Sequence, residues 1–175
     1  MDGCPLSFFL MKHKLINFVL FQSIWFIFIL SAAHDSLYGA LLGFCLLTLQ
    51  YLHGKKLFAD CVLIVLAIVI GFIHDGLLKY FNFIIYHIVF IDFYSPIWII
   101  GLWISFALTI NHSLAWLQNK PALQIFFGLI GGPLAYLAGE KLGAITLSHE
   151  YTLYILALSW AVVTPVLFKF YAKGK

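Results

Sequence analysis

The sequence predicts an all-α fold, a polytopic transmembrane bundle of about six helices with both termini cytoplasmic. Three observations lead there. The first is composition: 63% of the 175 residues are hydrophobic, 10% are charged, and the mean hydropathy is +1.02. Soluble domains run at about 45–50% apolar with about a quarter charged, and a chain this short has too little interior to hide the excess. The second is a series of six apolar runs, each near the ~20 residues that cross a bilayer as a helix. The third is the placement of the lysines, which supply all ten basic residues apart from histidine.

The runs cover 15–33, 36–53, 57–78, 95–117, 121–139 and 151–171. They form one domain, 15–172, behind a cytoplasmic segment, 1–14. Short connections favour antiparallel neighbours, and helices that are apolar all round show little 3.6-residue periodicity. The connection 79–94 stands apart. It holds Tyr80, Phe81, Phe83, Tyr86, Phe90, Phe93 and Tyr94, which predicts an interfacial or re-entrant segment, because irregular backbone is not tolerated in lipid. Alternating topology places Lys12, Lys14, Lys55, Lys56, Lys120, Lys169, Lys173 and Lys175 on one side and Lys79 and Lys141 on the other. Eight against two makes the first side cytoplasmic. Ser31-Ala32-Ala33 after the first run also resembles a signal-cleavage site. The run is longer than a usual signal core and holds Gln22 and Trp25, so an anchored first helix is the preferred reading.

Several function classes are disfavoured. The basic residues are scattered and arginine is absent, so the forked donor suited to phosphate and guanine is missing and no nucleic-acid partner is expected. Cys4, Cys45 and Cys61 have no CxxC or Cys/His spacing. They read as small hydrophobes, the latter two buried in apolar runs. No GxSxG, Walker or HExxH motif occurs, and no nucleophile–base pair can be picked out. No cofactor and no metal are expected. His34-Asp35, His74-Asp75, His87, Asp92, Glu140, His149 and Glu150 do gather at the outer helix ends, where polar residues belong in water and where Asp35 or Ser36 can cap the second helix.

Asp75 is the leading single candidate. It ends an apolar run at a helix C-terminus, where the dipole disfavours an anion, and carboxylates near hydrocarbon are paired or functional. Its expected partners are His74, Lys79 or a donor on the fourth helix, while Asp60 is expected to pair with Lys55 or Lys56. The fourth helix sets Trp98, Ser105, Thr109, His112 and Trp116 on one face, near Asn111. Facing Asn17, Gln22 and Trp25, they predict either interhelical hydrogen bonding or a half-polar, aromatic-lined pocket in the membrane's inner half. On the fifth helix Gly128, Gly132, Ala135, Gly139 and Gly143 form a small-residue ladder. Gly131-Gly132-Pro133 interrupts it, and Tyr136 and Glu140 follow. The preferred reading is a packing seam; the other is a broken helix at a substrate site. Gly39 and Gly43 make a weaker seam on the second helix, and Pro165 predicts a kink in the sixth.

The run from Asn17-Phe18 through Gln22, Trp25, Ala32-Ala33, Asp75, Pro96, Leu102-Trp103, Asn111 and Trp116-Leu117 resembles a family of small bacterial inner-membrane proteins, one defined as a domain of unknown function. GGPLAYLAGEKLGA (131–144), Trp160 and Pro165 complete the likeness, which covers nearly all of the chain after residue 14. The resemblance implies six helices, a multi-pass place in the bacterial inner (plasma) membrane and a link to membrane-lipid metabolism; it carries no catalytic residue. Three readings of function follow. One is a non-catalytic lipid or amphiphile binder, or an accessory subunit docked on a membrane enzyme or on a second copy of itself. The others are a small transporter or substrate-binding subunit, and a lipid-modifying enzyme using Asp75 with His74 or His112.

Overall fold

The computed structural model describes residues 5–54, 57–87 and 94–170. It is a bundle of six helices: α1 (Pro5–Ala33), α2 (Leu37–His53), α3 (Leu57–Tyr80), α4 (Ile97–Ile110), α5 (Pro121–Lys141) and α6 (Thr152–Phe168). Met11–Ala33, Phe58–Tyr80 and Pro121–Lys141 are long and apolar enough to cross a membrane, and α2, α4 and α6 are shorter apolar helices. This is the architecture of a membrane protein. The outward surface agrees: Phe58, Tyr38, Tyr154, Leu158 and Val162 are all exposed, as side chains facing lipid are. Cys45 and Cys61 share that surface as free, exposed thiols instead of lying buried.

Helix boundaries follow from local chemistry. α1 starts at Pro5 instead of at 15; proline fits a first helical turn because its missing N–H is an orphan there anyway. Ser36, not Asp35, caps α2: its hydroxyl accepts from the Gly39 amide at 3.2 Å. α4 stops at Ile110, well before the expected 117, and a single 3₁₀ turn follows at Ala115–Leu117. Asn111 and Ser113 send their side chains to Asp60 and Asn17, and short polar side chains with such alternatives compete with the helical ladder.

The connection after α3 is not merely interfacial. Its strand β1 (Ile84–Tyr86) pairs antiparallel with β2 (Ile145–Leu147) from the α5–α6 connection, in the register Ile84↔Leu147, Ile85↔Thr146, Tyr86↔Ile145. The pair ties two connections together at one end of the bundle. Glu140 reinforces it by accepting from the Leu147 amide at 2.8 Å. Phe90, Asp92 and Phe93 lie outside the described residues.

The small residues divide by position. A Cβ on Gly128 or Gly132 would collide with Trp160 of α6, and one on Gly43 with the Phe28 ring of α1; these are close-approach sites. Gly139 is looser, with Ile29 and Ile145 nearest at 3.4 and 3.7 Å, and Ala135 lines a cavity. Gly143 lies past the end of α5 with φ +85. It closes the helix through Gly143 N→Glu140 O and Ala144 N→Gly139 O, both 2.9 Å, a left-handed cap that suits glycine. α5 runs without interruption from Pro121 to Lys141 through Gly131-Gly132-Pro133, which fits the preferred reading of a seam and not the alternative of a broken helix. α6 likewise continues through Pro165.

Candidate functional site

α3 carries two fully buried carboxylates, Asp60 in its first turn and Asp75 near its end. Asp75 is the better furnished. Its Oδ1 accepts from the Tyr86 hydroxyl at 2.7 Å and the Tyr136 hydroxyl at 2.6 Å. Its Oδ2 accepts from Trp103 Nε1 at 2.6 Å and lies 3.2 Å from His74 Nδ1. β1, α4 and α5 thus each contribute a donor, and α3 itself adds the His74 contact. Burial, and then the nearby Asp75 charge, push the Tyr86 phenol well above its ordinary value, so it serves as a donor throughout the neutral range.

The far side of His74 reaches α6, where Nε2 lies 2.8 Å from Ser159 Oγ. Around it Trp103 and Trp160 stack with centroids 4.7 Å apart and planes 13° from parallel. A Cβ on Gly71 would strike the Trp103 ring, as one on Gly132 would strike Trp160. The stacked indoles therefore occupy the space that these two glycines leave open on α3 and α5.

Trp103 and Tyr136, which bond Asp75, also line a cavity of 420 Å³ walled by α1, α4, α5 and α6. Trp25, Trp98, Phe106 and Trp160 supply much of its surface. Its few polar groups are Gln22, Thr109, Ser113 and Thr164. Among the described buried groups, Thr164 Oγ1, Trp160 Nε1 and Ser95 Oγ have no hydrogen-bond partner, and the first two belong to cavity residues.

The residues singled out from sequence separate into three places. Gln22, Trp25, Trp98, Thr109 and Tyr136 line the cavity. Asp75 does not line it but accepts from Trp103, a wall residue on the fourth helix, and contacts His74. Asn17, Asn111, His112 and Trp116 do not line it. Asn17 donates to the Leu108 carbonyl at 3.2 Å and accepts from Ser113 Oγ at 2.7 Å, pinning α1 to the end of α4. Asn111 Nδ2 and His112 Nε2 each approach Asp60 at 2.9 Å; Lys55 and Lys56 lie outside the described residues. Trp116 is 52% exposed, with Lys120 Nζ 5.5 Å from its ring centroid. Ser105 also turns away from the cavity, exchanging hydrogen bonds with Gln50 of α2 at 2.6 and 3.1 Å. Of the face expected across residues 98–116, Trp98 and Thr109 do line the cavity, whereas His112 and Trp116 do not continue it because the helix ends at Ile110.

The outer histidines and acids serve separate local ends. His34 Nδ1 bonds the Leu30 carbonyl at 3.0 Å, and His149 stacks on Tyr151 at 4.9 Å. Among the described residues no three of His, Cys, Asp or Glu are grouped to hold a metal ion. The sequence marks Tyr86 only as one aromatic of its connection and Ser159 not at all, because each meets Asp75 or His74 only through the tertiary fold.

No curated protein and no solved structure matches this chain. A family model does, over residues 14–166, under the description "Protein of unknown function (DUF2878)". That span covers most of the helical bundle, with Asp75, its donor shell, the His74–Ser159 contact and the cavity all inside it. The chain belongs to this DUF2878 family.

Proposed function

We propose that this is a multi-pass protein of a bacterial inner membrane, with both termini cytoplasmic, that holds a lipid or small amphiphile between α1, α4, α5 and α6 as a binder or accessory subunit of lipid metabolism. One observation carries the reading: the 420 Å³ cavity walled by tryptophan and phenylalanine with few polar groups. Its volume falls in the ~300–1,000 Å³ range of small-molecule sites, and mostly apolar walls with a few convergent polar groups are their usual make-up. The unpartnered Thr164 hydroxyl, fully buried, supports an occupant with a polar group, since a buried hydroxyl without a partner costs free energy. The lysine asymmetry supports the orientation.

The transporter reading loses its main support. Broken helices build transporter sites from exposed half-helix ends, and α5 is continuous past Pro133. The test is extraction and mass analysis of what copurifies with the full chain in a mild neutral detergent. One class of amphiphile at near-equimolar amount is expected; its absence across several mild detergents overturns the reading.

A further inference from the structure

We infer that Ser159, His74 and Asp75 form an acyl-transfer relay, with Ser159 as nucleophile toward a carboxylic ester of a lipid-soluble acyl chain. The inference does not depend on what occupies the cavity. It rests on distances and on which groups are able to donate. Asp75 receives the Tyr86 and Tyr136 hydroxyls and the Trp103 indole N–H. An indole N–H donates only, and an ionised carboxylate accepts only. The 3.2 Å contact to His74 Nδ1 then places a proton on Nδ1. In neutral imidazole the other nitrogen is an acceptor, so Nε2, 2.8 Å from Ser159 Oγ, receives the serine proton. Nucleophile, base and a third group that fixes the base's tautomer are the parts such a site requires, recognised by geometry whatever the fold or order in the chain.

The second oxygen contact of Ser159 supplies a resting position. Oγ also lies 3.1 Å from the Leu156 carbonyl. With its proton turned to the Leu156 carbonyl the serine is at rest. With its proton turned to Nε2 it points along the reaction coordinate. His74 is close-packed, its side chain 9% exposed, with Trp103, Tyr136 and Trp160 rings at 5.5, 6.4 and 6.1 Å. Those walls limit water around the imidazole. Ser159 itself is partly exposed on α6, which leaves it an approach for substrate.

The chemistry balances with water as the one co-reactant. Ser159 Oγ bonds the ester carbonyl carbon while its proton passes to His74 Nε2. The carbon–alkoxide bond breaks, and that proton leaves on the alcohol. Water then attacks the acyl-serine, giving a proton to Nε2. The Oγ–carbon bond breaks, the proton returns to Oγ, and the carboxylic acid departs. Asp75 is a positioning residue, holding the Nδ1 proton and the ring orientation.

The test uses the full chain in nanodiscs with a long-chain alkyl fluorophosphonate, which phosphonylates activated serines, followed by peptide mapping. Labelling at Ser159 is expected, absent in Ser159→Ala and reduced at least tenfold in His74→Gln. Asp75→Asn reports the positioning role if it stays folded, by a tenfold or greater loss of labelling at unchanged probe binding. Ser159→Ala removes only a partly exposed hydroxyl, so its folding is not at stake. An unlabelled Ser159 in folded wild type, or equal labelling of wild type and His74→Gln, overturns the relay.

Discussion

The two buried carboxylates of α3 solve the same problem differently. Asp60 stands in the first turn, where the helix dipole favours an anion, and has two described side-chain partners, Asn111 and His112. Asp75 stands near the other end, where the dipole opposes it, and takes four, from Tyr86, Tyr136, Trp103 and His74. Among the described residues, the less favourable position has the larger donor shell. The shells also differ in reach. Those of Asp60 link α3 to the end of α4. Those of Asp75 draw in β1, α4 and α5, and two of them, Trp103 and Tyr136, are walls of the cavity. The Asp60 end is a fastening, whereas the Asp75 end is a fastening that also shapes a site.

Substitutions sharpen that contrast. Asp75→Leu leaves several buried donors unanswered and should destabilise the protein in detergent by about 3–5 kcal/mol, read from thermal unfolding. Asp60→Leu strands two and should cost about 1–3 kcal/mol; equal losses at the two sites would break the comparison. Adjacent glycines of α5 offer the next largest effect. Gly132→Leu collides with Trp160 and should lose about 1–3 kcal/mol through overpacking. At Gly131 a Cβ meets only Phe127, at 3.9 Å, so Gly131→Leu should hold or gain up to about 1 kcal/mol from helix propensity.

Smaller effects test single donors. Tyr86→Phe should cost about 1 kcal/mol at neutral pH, one hydrogen bond's worth. Because the folded phenol holds its proton more tightly than the unfolded one, its contribution is complete below the unfolded value of about 10 and declines as pH rises above it. Wild type should thus lose more stability than Tyr86→Phe between neutral and strongly alkaline pH, in paired melts. Trp116→Ala, on an exposed ring, should change stability by no more than about 0.5 kcal/mol.

The bundle was legible because it is written in composition and run length, both local quantities. Each of the six apolar runs holds one of the six helices. Asp75 was legible too, since a carboxylate at the end of the Val62–Ile73 run must find donors somewhere. What it finds was not. Tyr86 arrives through a strand pairing to residues 145–147, and Ser159 lies 85 positions from His74; no local pattern records either. The fourth helix misled for a related reason. Trp98 and Trp116 share a face only if the helix continues, and Asn111 and Ser113 end it by bonding elsewhere. On α5, spacing revealed the close approach at Gly128 and Gly132 but could not separate those from Gly143, whose role is a left-handed cap.

The most direct measurement is native mass spectrometry of wild type beside Gly131→Leu, both purified in the same mild neutral detergent. Gly131 lines the cavity, and a Cβ there meets only Phe127, at 3.9 Å, and no residue of the Asp75 shell. The account predicts a bound amphiphile on wild type and its loss from a Gly131→Leu protein of equal or greater thermal stability. Identical spectra, with both proteins bare or both carrying the same ligand, would contradict it.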